Sequence, residues 1–468
     1  MSLLQTLRFV RCIAQILPVP QWKPAKLERL REKRLRQIVG LAMDRSPFYR
    51  EKYRGIDRNH FQLSDLPTTN KAELMAHFDD AITDREVHRV DVERFVGDPE
   101  NLGRWFLGRY GVSHTSGSQG QPMLILQDRK ALEIFFALMC SRANPAGTPG
   151  ILQGISRLLK PVRVAIVTMR RGAYPSGSAI EFMPELVGNF VRIKCLSSLQ
   201  ADLVDQLNAF QPNVLVSYAS VLESLAIRSE QLAMKELRQI ANISEQLTAR
   251  ARSRVEKAFG VPLPDHYAVG ECLLLANGCQ TGSGSHINAD WAILEVVDAN
   301  YQPVALGELG CKILVTNLAN TVQPFIRYEV GDQLRISEGR CECGSRLPKI
   351  AHVEGREAEI FWVHDGSNYL MVHASLFHSV LDRLCSIREW QAVQTDRNRL
   401  ELRLELLPNS AYSLSTGETT LRRMFQKQGL PADVVVDVRI VPLLSHDPRT
   451  NKFRRMQSEV GQPEDLQN

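Results

Sequence analysis

The sequence predicts an α/β protein with a large N-terminal region of mixed sheets and a small, mobile C-terminal α+β domain. Apolar runs of strand length alternate with helical segments in the middle of the chain, at Val162–Met169, Val214–Tyr218, Ala292–Val297 and Lys312–Thr316. Such alternation is typical of α/β folds. The last hundred or so residues differ, with an alternating run at Leu400–Leu406, a helical Thr419–Gln428 and a strand-like Val434–Val441.

The length of 468 residues exceeds what one compact core usually holds and predicts at least two domains. The pattern changes near Gly355, so we expect a large domain over residues 1–355 and a lid-sized domain over 356–468. Within the first, residues 25–53 have helical spacing and predict one or two surface helices. Gln200–Phe210 and the long polar stretch Ser220–Phe259 are also expected to be helical.

The composition is that of an ordinary globular protein, with 44% apolar and 23% charged residues and a net charge of +5. It shows neither a basic stripe nor an aromatic platform, which argues against nucleic-acid binding. No apolar run is long enough for a transmembrane helix. The first twenty residues are amphipathic, which fits a surface helix on its own domain or, less well, peripheral membrane contact.

The cysteines and the N-terminus predict a reducing compartment. The nine cysteines are scattered and odd in number, unlike a disulfide framework, and the N-terminus lacks the pattern of a secretory signal. We therefore expect a cytoplasmic protein.

A glycine-rich loop is the most informative stretch. Residues 114–122 read HTSGSQGQP, in which hydroxyl side chains and backbone N–H groups can surround a polyphosphate. The loop lacks the lysine ending of a Walker loop. By itself a Ser/Gly-rich turn is more often a plain loop, so a phosphate-binding role requires support from motifs elsewhere in the chain.

The loop is similar to the phosphate loop [ST]-S-G-[ST]-T-G-x-P of the adenylate-forming enzymes, and other motifs of that superfamily come after it in order. Residues 267–271 (YAVGE) resemble Y-G-x-[ST]-E, 324–332 (PFIRYEVGD) resemble P-x-x-R-Y-x-x-G-D, Gly355-Arg356 resembles the hinge, and 451–455 (NKFRR) resemble the terminal G-K-x-R-R. With SPFYREKY at 46–53 and CECG at 341–344, the chain is most similar to the phenylacetate–CoA ligase family over about residues 40 to 460.

The resemblance implies roles for individual residues in binding ATP. The β- and γ-phosphates are held by Thr115, Ser116, Gly117, Ser118 and Gly120. Glu271 holds Mg²⁺, a hard cation suited to carboxylate and phosphate oxygens. Tyr267 stacks on adenine, and the carboxylate of Asp332 accepts hydrogen bonds from the ribose hydroxyls.

Three basic residues complete the implied site. Arg356 contacts the α-phosphate at the domain boundary, and Lys452 stabilises charge on the carboxylate and α-phosphate oxygens during adenylation. Because Lys452 belongs to the small domain, its action requires domain closure. Arg327 is expected to support the site through an ion pair rather than to touch the substrate.

The sequence departs from the family pattern at several positions. Gln121 replaces the usual basic residue of the loop, Ala268 and Gly270 precede Glu271, the hinge reads Arg356-Glu357-Ala358-Glu359, and Asn451 replaces a glycine. These departures put the reaction rate and the substrate specificity in doubt more than the fold. They leave a slow or degenerate enzyme as an alternative interpretation.

Cysteine and histidine residues form a second constellation. Cys279, His286, Cys341 and Cys343 offer the nitrogen and sulfur ligands that zinc prefers, although a Cys-x-Cys spacing is weak evidence. Four unrelated residues are the alternative interpretation. A structural zinc is favoured over a catalytic one, and Cys272 is either a further ligand or a core thiol.

The function implied by the resemblance is activation of a carboxylic acid, an aromatic one by preference, as an acyl-adenylate, followed by transfer to coenzyme A with release of AMP and pyrophosphate. The alternatives are a ligase that uses another acceptor (a carrier protein, an amine or a cofactor hydroxyl) and a degenerate nucleotide-binding protein. The acyl pocket is expected to draw on Phe135–Cys140, residues 168–180 and Tyr218–Ser220. The resemblance also implies a homodimer as an option.

Overall fold

The computed structural model describes residues 3–460 except for 116–122, 143–159, 169–174, 199, 245–246, 248, 283, 299, 311, 355–359, 367, 382–383, 385, 407–413 and 445–455. The chain forms two compact units. The larger takes Met1–Thr115, Met123–Leu196 and Val204–Gly355, and the smaller consists mainly of Arg356–Asn468.

Helices make up the first hundred residues of the larger unit. They are α1 (Leu3–Ile16), α2 (Pro24–Arg45), α3 (Pro47–Lys52), α4 (Lys71–Ala76), α5 (Phe78–Ala81) and α6 (Arg89–Gly97). Pro24 opens α2 at a position where its missing N–H has no helical partner to lose, and the Ser46 side chain caps α3 by accepting the Tyr49 N–H. The prediction of one or two surface helices over 25–53 is confirmed as two helices, but α2 also buries Leu35 and Val39 in the main core.

The N-terminal helix packs on its own unit. Phe9 and Ile16 of α1 are almost fully buried, and Arg8 Nε donates to Glu133 Oε2 at 2.7 Å. This packing is the first of the two arrangements that the sequence allows. Within the described chain, no helix is both long and apolar enough to cross a bilayer.

A β-hairpin carries the glycine-rich loop. Strands β1 (Tyr110–His114) and β2 (Leu124–Asp128) pair antiparallel with His114 opposite Leu124, so residues 115–123 connect them at one end. Helix α7 (Arg129–Arg142) leaves from the other end. Asp128 caps it by accepting the Ala131 N–H at 2.8 Å.

A parallel sheet occupies the middle of the larger unit. Its strands are β3 (Val162–Thr168), β4 (Val191–Ser197), β5 (Val214–Ser217) and β6 (Gln239–Asn242), in the order β4-β3-β5-β6. Strand β5 pairs in parallel with β3 and β6. The accompanying helices are α8 (Pro175–Glu181), α9 (Glu185–Phe190), α10 (Leu203–Phe210), α11 (Ala219–Ile227) and α12 (Ala249–Phe259).

The continuous helix predicted over Ser220–Phe259 is wrong. Helices α11 and α12 occupy its ends, but β6 lies between them and forms an edge of the parallel sheet. All four residues of β6 are buried, and two of them, Gln239 and Asn242, are polar. A four-residue strand with polar ends lacks the apolar run by which a buried strand is recognised in a sequence.

Two antiparallel sheets follow in the second half of the larger unit. Their strands are β7 (Ala276–Gly278), β8 (Ser285–Ile287), β9 (Ala292–Val297), β10 (Lys312–Asn317), β11 (Tyr328–Val330), β12 (Gln333–Ile336) and β13 (Lys349–Glu354). One sheet has the order β11-β10-β9 and the other β12-β13-β8-β7. Strands β3, β5, β9 and β10 match the predicted strands to within about one residue, so the prediction of mixed α/β sheets is confirmed.

The smaller unit is an α+β domain, as predicted. Its elements are β14 (Ile360–Asp365), β15 (Asn368–His373), α13 (Ala374–Leu381), β16 (Ile387–Asp396), β17 (Arg399–Leu406), α14 (Leu414–Lys427), β18 (Val435–Ile440) and β19 (Met456–Ser458). The main sheet has the order β18-β17-β16-β19. The ring of Phe377 lies 5.6 Å from that of Trp390 and 5.3 Å from that of Phe425, and these aromatic side chains fill its core.

Candidate active site and cysteine–histidine cluster

The base of the glycine-rich loop is held by hydrogen bonds to Thr115. The Thr115 N–H donates to the Met123 carbonyl at 2.9 Å, and the Met123 N–H donates to Thr115 Oγ1 at 3.0 Å. These bonds extend the hairpin by one pair and fix both ends of the loop. Ser116, Gly117, Ser118 and Gly120 lie outside the described residues, so their phosphate-binding role stays a prediction.

The structure brings together two of the predicted nucleotide-binding residues. The Tyr267 hydroxyl donates to Asp332 Oδ2 at 2.7 Å, although the two residues are 65 positions apart. Asp332 lies between β11 and β12, which belong to different sheets, and Tyr267 forms a bridge with Ala276 of β7. The phenol thereby orients the carboxylate that is expected to face a ribose.

The glycine-rich loop is tied to the segment that ends in Asp332. The Tyr328 hydroxyl contacts Met123 Sδ at 3.3 Å, and Tyr328 opens the strand that leads to Asp332. Both side chains are buried in the main core of the larger unit. The end of the loop and the predicted ribose-binding segment therefore share one packed interior, which limits how far either can shift.

Glu271 is buried, with 8% of its surface exposed. The Asn317 side chain stabilises the backbone at Glu271, because its Nδ2 donates to the Glu271 carbonyl at 2.8 Å. Asn317 Oδ1 in turn accepts the N–H groups of Ala319 and Asn320. The low exposure disfavours the simplest alternative to a metal-binding role, a carboxylate that is merely solvated at the surface.

Side-chain amides pair with the edge of β2, and the sequence did not indicate them. Gln323 Oε1 accepts the Leu126 N–H at 2.8 Å, and Gln323 Nε2 donates to the Leu124 carbonyl at 3.1 Å. Asn320 Nδ2 donates to the Leu126 carbonyl at 2.7 Å. These amides satisfy backbone groups of β2 in the way that another strand would. An excess of Asn and Gln just before PFIRYEVGD was the signal that could have revealed them.

Arg327 forms an ion pair, as the sequence predicts for it. Its guanidinium forms two hydrogen bonds to the Glu295 carboxylate, at 3.1 and 3.0 Å, and donates to the Leu66 carbonyl at 2.7 Å. Burial raises the pKa of Glu295, and the ion pair with Arg327 opposes that shift. A paired, bidentate arginine of this kind fixes the backbone that leads to Asp332.

The predicted hinge and mobile-lysine residues are not described. Arg356, Glu359 and Lys452 lie outside the described residues. Their roles stay predictions, and so does closure of the small domain.

The four predicted metal ligands converge at one point. The ligand atoms of Cys279, His286, Cys341 and Cys343 all lie within 4.8 Å of one another. The sulfurs of Cys279 and Cys341 are 3.5 Å apart, and His286 Nε2 is 3.1 Å from the Cys343 sulfur. In a tetrahedral zinc site with bonds of about 2.3 Å, neighbouring sulfurs lie about 3.8 Å apart. Four unrelated residues would not meet in this way, so the donor set fits zinc.

The surroundings of the cluster also fit a metal ion. His286 Nδ1 lies 3.4 Å from the Leu347 carbonyl, the outer contact that commonly orients a ligating histidine. Lys349 Nζ is 3.9 Å from the Cys341 sulfur and can offset the excess negative charge of three thiolates. Gly284 has φ +98, and a Cβ there would lie 2.1 Å from the Ile350 carbonyl oxygen. Only glycine therefore lets the ligand loop pass this close to β13.

Cys272 is a thiol packed against the main core rather than a ligand. It is not among the residues whose ligand atoms converge in the described part of the chain. Burial, and then the neighbouring Glu271 charge, raise the pKa of the Cys272 thiol to about 12. Of the two interpretations that the sequence left open, the structure favours the core thiol.

Comparison with known proteins gives sequence and structural relatives. Over 358 residues the chain is 24% identical to the phenylacetate-coenzyme A ligase of Thermus thermophilus, and the match covers 74% of this chain and 73% of that protein. Over 145 residues it is 27% identical to Protein CapK of Staphylococcus aureus, a match that covers 28% of each chain. No family model matches the chain.

Among solved structures, the fold is similar to that of 2-hydroxyisobutyryl-CoA ligase. The complex with 2-HIB-AMP and CoA in the thioesterification state gives a TM-score of 0.62 at 20% identity, covering 94% of this chain and 92% of that chain. The same enzyme with 2-HIB-AMP in the postadenylation state gives 0.55 at 21% identity, with 96% and 92% covered. The fold is therefore that of the adenylate-forming ligases. In sequence, the chain is a distant homologue of phenylacetate–coenzyme A ligase.

Proposed function

We propose that this protein activates a carboxylic acid with ATP as an acyl-adenylate and then transfers the acyl group to coenzyme A, releasing AMP and pyrophosphate. The observation that carries the proposal is the Tyr267–Asp332 hydrogen bond, with the buried Glu271 four positions along the chain from Tyr267. It joins two segments that both resemble nucleotide-binding motifs of the adenylate-forming enzymes. The homology to phenylacetate–coenzyme A ligase supports the reaction class.

The proposed division of work follows the geometry. Asp332 receives the ribose hydroxyls, and Tyr267 presents its ring to adenine while its hydroxyl holds Asp332 in place. Glu271 would hold Mg²⁺, which would supply positive charge for the departing pyrophosphate. Lys452, with Arg356, stabilises the oxygens of the carboxylate and the α-phosphate.

The cysteine–histidine cluster is proposed to hold a structural zinc ion rather than a catalytic one. Three thiolates and an imidazole fill all four tetrahedral positions and leave none open for substrate, which is the pattern of structural sites. His286 lies on β8, Cys279 directly follows β7, and the other two ligands lie between β12 and β13. In the same sheet, β12 begins just after Asp332, and β7 is bridged to Tyr267. Zinc would thus fix the strands that position both residues.

Three finer assignments belong to this proposal. An aromatic acid is the favoured substrate, because the sequence relative is a phenylacetate–coenzyme A ligase. The cytoplasm is the favoured location, since it supplies both ATP and coenzyme A. The described residues leave open whether the protein acts as a homodimer.

The deciding experiment is ATP–pyrophosphate exchange with a panel of aromatic, aliphatic and amino acids. We expect exchange driven by one class of acid and lost in Lys452→Ala. Lys427→Ala is the matched control, because Lys427 is an exposed lysine at the end of α14. Equal loss in both variants would count against a catalytic role for Lys452.

The acceptor is tested separately by adding coenzyme A and measuring AMP and thioester together. Stoichiometric formation of both supports the acid–CoA ligase. If the acid drives pyrophosphate exchange but added coenzyme A yields no thioester, that result would indicate a carrier protein, an amine or a hydroxyl as acceptor. ATP binding without exchange for any acid would indicate the degenerate nucleotide-binding protein.

A further inference from the structure

A narrow cavity is lined in part by Cys272, the residue that follows Glu271 in the chain. Its volume is about 20 Å³, and its walls come from α7 (Ile134, Phe135 and Leu138), from Cys272–Leu274 and from the Trp291 side chain. A space of this size holds about one water-sized group. Phe135 and Leu138 belong to a segment that is expected to line the acyl pocket.

Two polar side chains, Gln127 and Asn317, lie among the mostly apolar residues that line this cavity. Gln127 of β2 lines it and is 96% buried, since only 4% of its surface is exposed. Among the described residues, neither Gln127 Nε2 nor Gln127 Oε1 has a hydrogen-bond partner. The indole Nε1 of Trp291, on the same cavity, also has none there.

Unpartnered buried amides are uncommon, because a buried donor or acceptor without a partner has lost its hydrogen bonds to water and gained none in exchange. The neighbouring Gln323 shows the ordinary arrangement, with both amide atoms bonded to the backbone of β2. Gln127 is therefore an exception on a strand whose backbone groups at Leu124 and Leu126 are bonded by the side-chain amides of Gln323 and Asn320. Such an exception suggests a partner that arrives with the substrate.

Residues that line the cavity are also bonded to Glu271 of the proposed reaction site. Cys272 lines the cavity and follows Glu271 directly. Asn317 also lines it, and its Nδ2 donates to the Glu271 carbonyl. A substrate whose carboxylate lies near Glu271 can therefore direct its other end into the apolar space between α7 and residues 272–274.

We propose that Gln127 is a specificity-determining residue that hydrogen-bonds a polar group at the distal end of the substrate acid. The substrate class is a carboxylic acid that carries one hydroxyl, or a group of similar size that both donates and accepts. The amide can accept from and donate to such a group, and the Trp291 N–H supplies a further donor. This inference rests on the proposed function, because it assigns the acid that the same site activates.

The chemistry of the site favours discrimination by a hydroxyl. A pocket built to bond a substrate hydroxyl rejects an analogue without one, because the buried polar groups of the pocket are then left unpaired. A purely hydrocarbon acid such as phenylacetate would leave Gln127 unpartnered. The acid accepted by this chain therefore differs from the one in the name of its sequence relative.

The test compares acids that differ only in one group, in the wild type and in Gln127→Leu. Matched pairs are 4-hydroxyphenylacetate with 4-methylphenylacetate and 6-hydroxyhexanoate with heptanoate. For the accepted skeleton, we expect the wild type to prefer the hydroxy acid by on the order of 10- to 100-fold in kcat/KM for pyrophosphate exchange. Gln127→Leu should abolish or reverse this preference.

A second measurement does not depend on activity. Leucine at position 127 removes an unpartnered amide, so the thermal midpoint of the ligand-free protein should stay unchanged or rise. Gln323→Leu is the matched control, and its midpoint should fall, because that change leaves two β2 backbone groups without their partners. A comparable fall of the thermal midpoint in both variants would overturn the proposal, because it would show that the Gln127 amide has hydrogen-bond partners in the ligand-free protein.

The outcomes separate this inference from the proposed function. Exchange that does not distinguish hydroxyl from methyl, or a preference that survives in Gln127→Leu, overturns the inference and leaves the ligase standing. If no acid supports exchange, the ligase proposal fails. The same acid pairs are then compared by equilibrium binding in the presence of ATP, where the absence of a hydroxyl preference would also overturn the role of Gln127.

Discussion

The carboxylate of Asp332 is held in place by Tyr267, and substitutions at the two positions should affect ATP binding unequally. Asp332→Asn removes an ionised acceptor, and hydrogen bonds to charged groups contribute about 1.5–3 kcal/mol each. We expect the dissociation constant for ATP to rise on the order of 10- to 100-fold, measured by isothermal titration calorimetry.

Tyr267→Phe is the comparison variant for Asp332→Asn. It keeps the ring for stacking and removes only the hydrogen bond of 2.7 Å to Asp332 Oδ2. A neutral donor of this kind contributes about 0.5–1.5 kcal/mol, so the ATP affinity should fall by no more than about tenfold. A larger loss for Tyr267→Phe than for Asp332→Asn would place the main nucleotide contact on the tyrosine.

Gly284 lies at a backbone position that only glycine fits, and the surrounding sequence does not reveal this requirement. Its φ of +98 is unfavourable for other residues, and a Cβ would clash with the Ile350 carbonyl oxygen at 2.1 Å. We expect Gly284→Ala to lower the free energy of unfolding by at least about 2 kcal/mol in urea titration. Gly339→Ala isolates the cost of φ alone, since Gly339 has φ +75 with no atom within 4 Å of its Cβ position. Equal losses in the two variants would mean that β13 moves to relieve the clash.

The strands and helices show which parts of a sequence are informative. Strands β3, β9 and β10 were predictable because each is a run of apolar, largely β-branched residues. Strand β6 was not, because its buried polar ends are satisfied only by tertiary contacts, such as the bond from Asn242 Nδ2 to Asp265 Oδ1 at 2.7 Å. The amides of Asn320 and Gln323 were missed for the same reason, since their partners on β2 lie almost two hundred residues away.

The zinc proposal makes a prediction for the sheet that contains β7, β8, β12 and β13. The purified protein should contain one zinc ion per chain, and Cys279→Ser should lose it together with several degrees of thermal midpoint. Zinc content can be measured by inductively coupled plasma mass spectrometry. ATP affinity should fall as well, because the same sheet positions Tyr267 and Asp332.

Cys12→Ser is the control for the zinc experiment. Cys12 is a half-buried thiol of α1 outside the cluster, and burial raises its pKa to about 11. Its substitution should leave the zinc content at one per chain. Full zinc content in Cys279→Ser would show that the cluster is not the metal site.

At the scale of the molecule, the order of motifs along the chain was more informative than any one of them. Roles for residues 115, 267, 271 and 332 could be predicted before the fold was known, because the shared order of the motifs restricts which segments are expected to meet at a nucleotide. Gln127 could not be found this way. Its buried, unpartnered amide is a property of the packing of β2 against α7, and a glutamine in a strand otherwise indicates an exposed edge.

The stability of the larger unit should depend on pH through His266, next to Tyr267 in the chain. His266 is almost fully buried, and burial lowers its pKa from 6.5 to about 4, while its Nδ1 accepts the Gly278 N–H at 3.3 Å. Between pH 6.5 and 4 the unfolded chain therefore binds a proton that the folded chain excludes. The stabilisation is fully present above pH 6.5 and is lost as the pH falls, by about 2 kcal/mol at pH 5 and about 3 kcal/mol at pH 4.

The measurement is urea unfolding of the wild type and of His266→Gln between pH 4 and 8. Glutamine offers an acceptor for the Gly278 N–H but does not titrate, so the difference in unfolding free energy between the two proteins should shrink as the pH falls below 6.5. Both proteins keep the cysteine–histidine cluster, so acid release of a metal ion affects both and cancels in the difference. A difference that stays constant from pH 8 to 4 would show that His266 accepts its proton without cost, through a movement that exposes it to water. Because His266 lies beside Tyr267, that movement would also loosen the hydrogen bond to Asp332 on which the proposed nucleotide site depends.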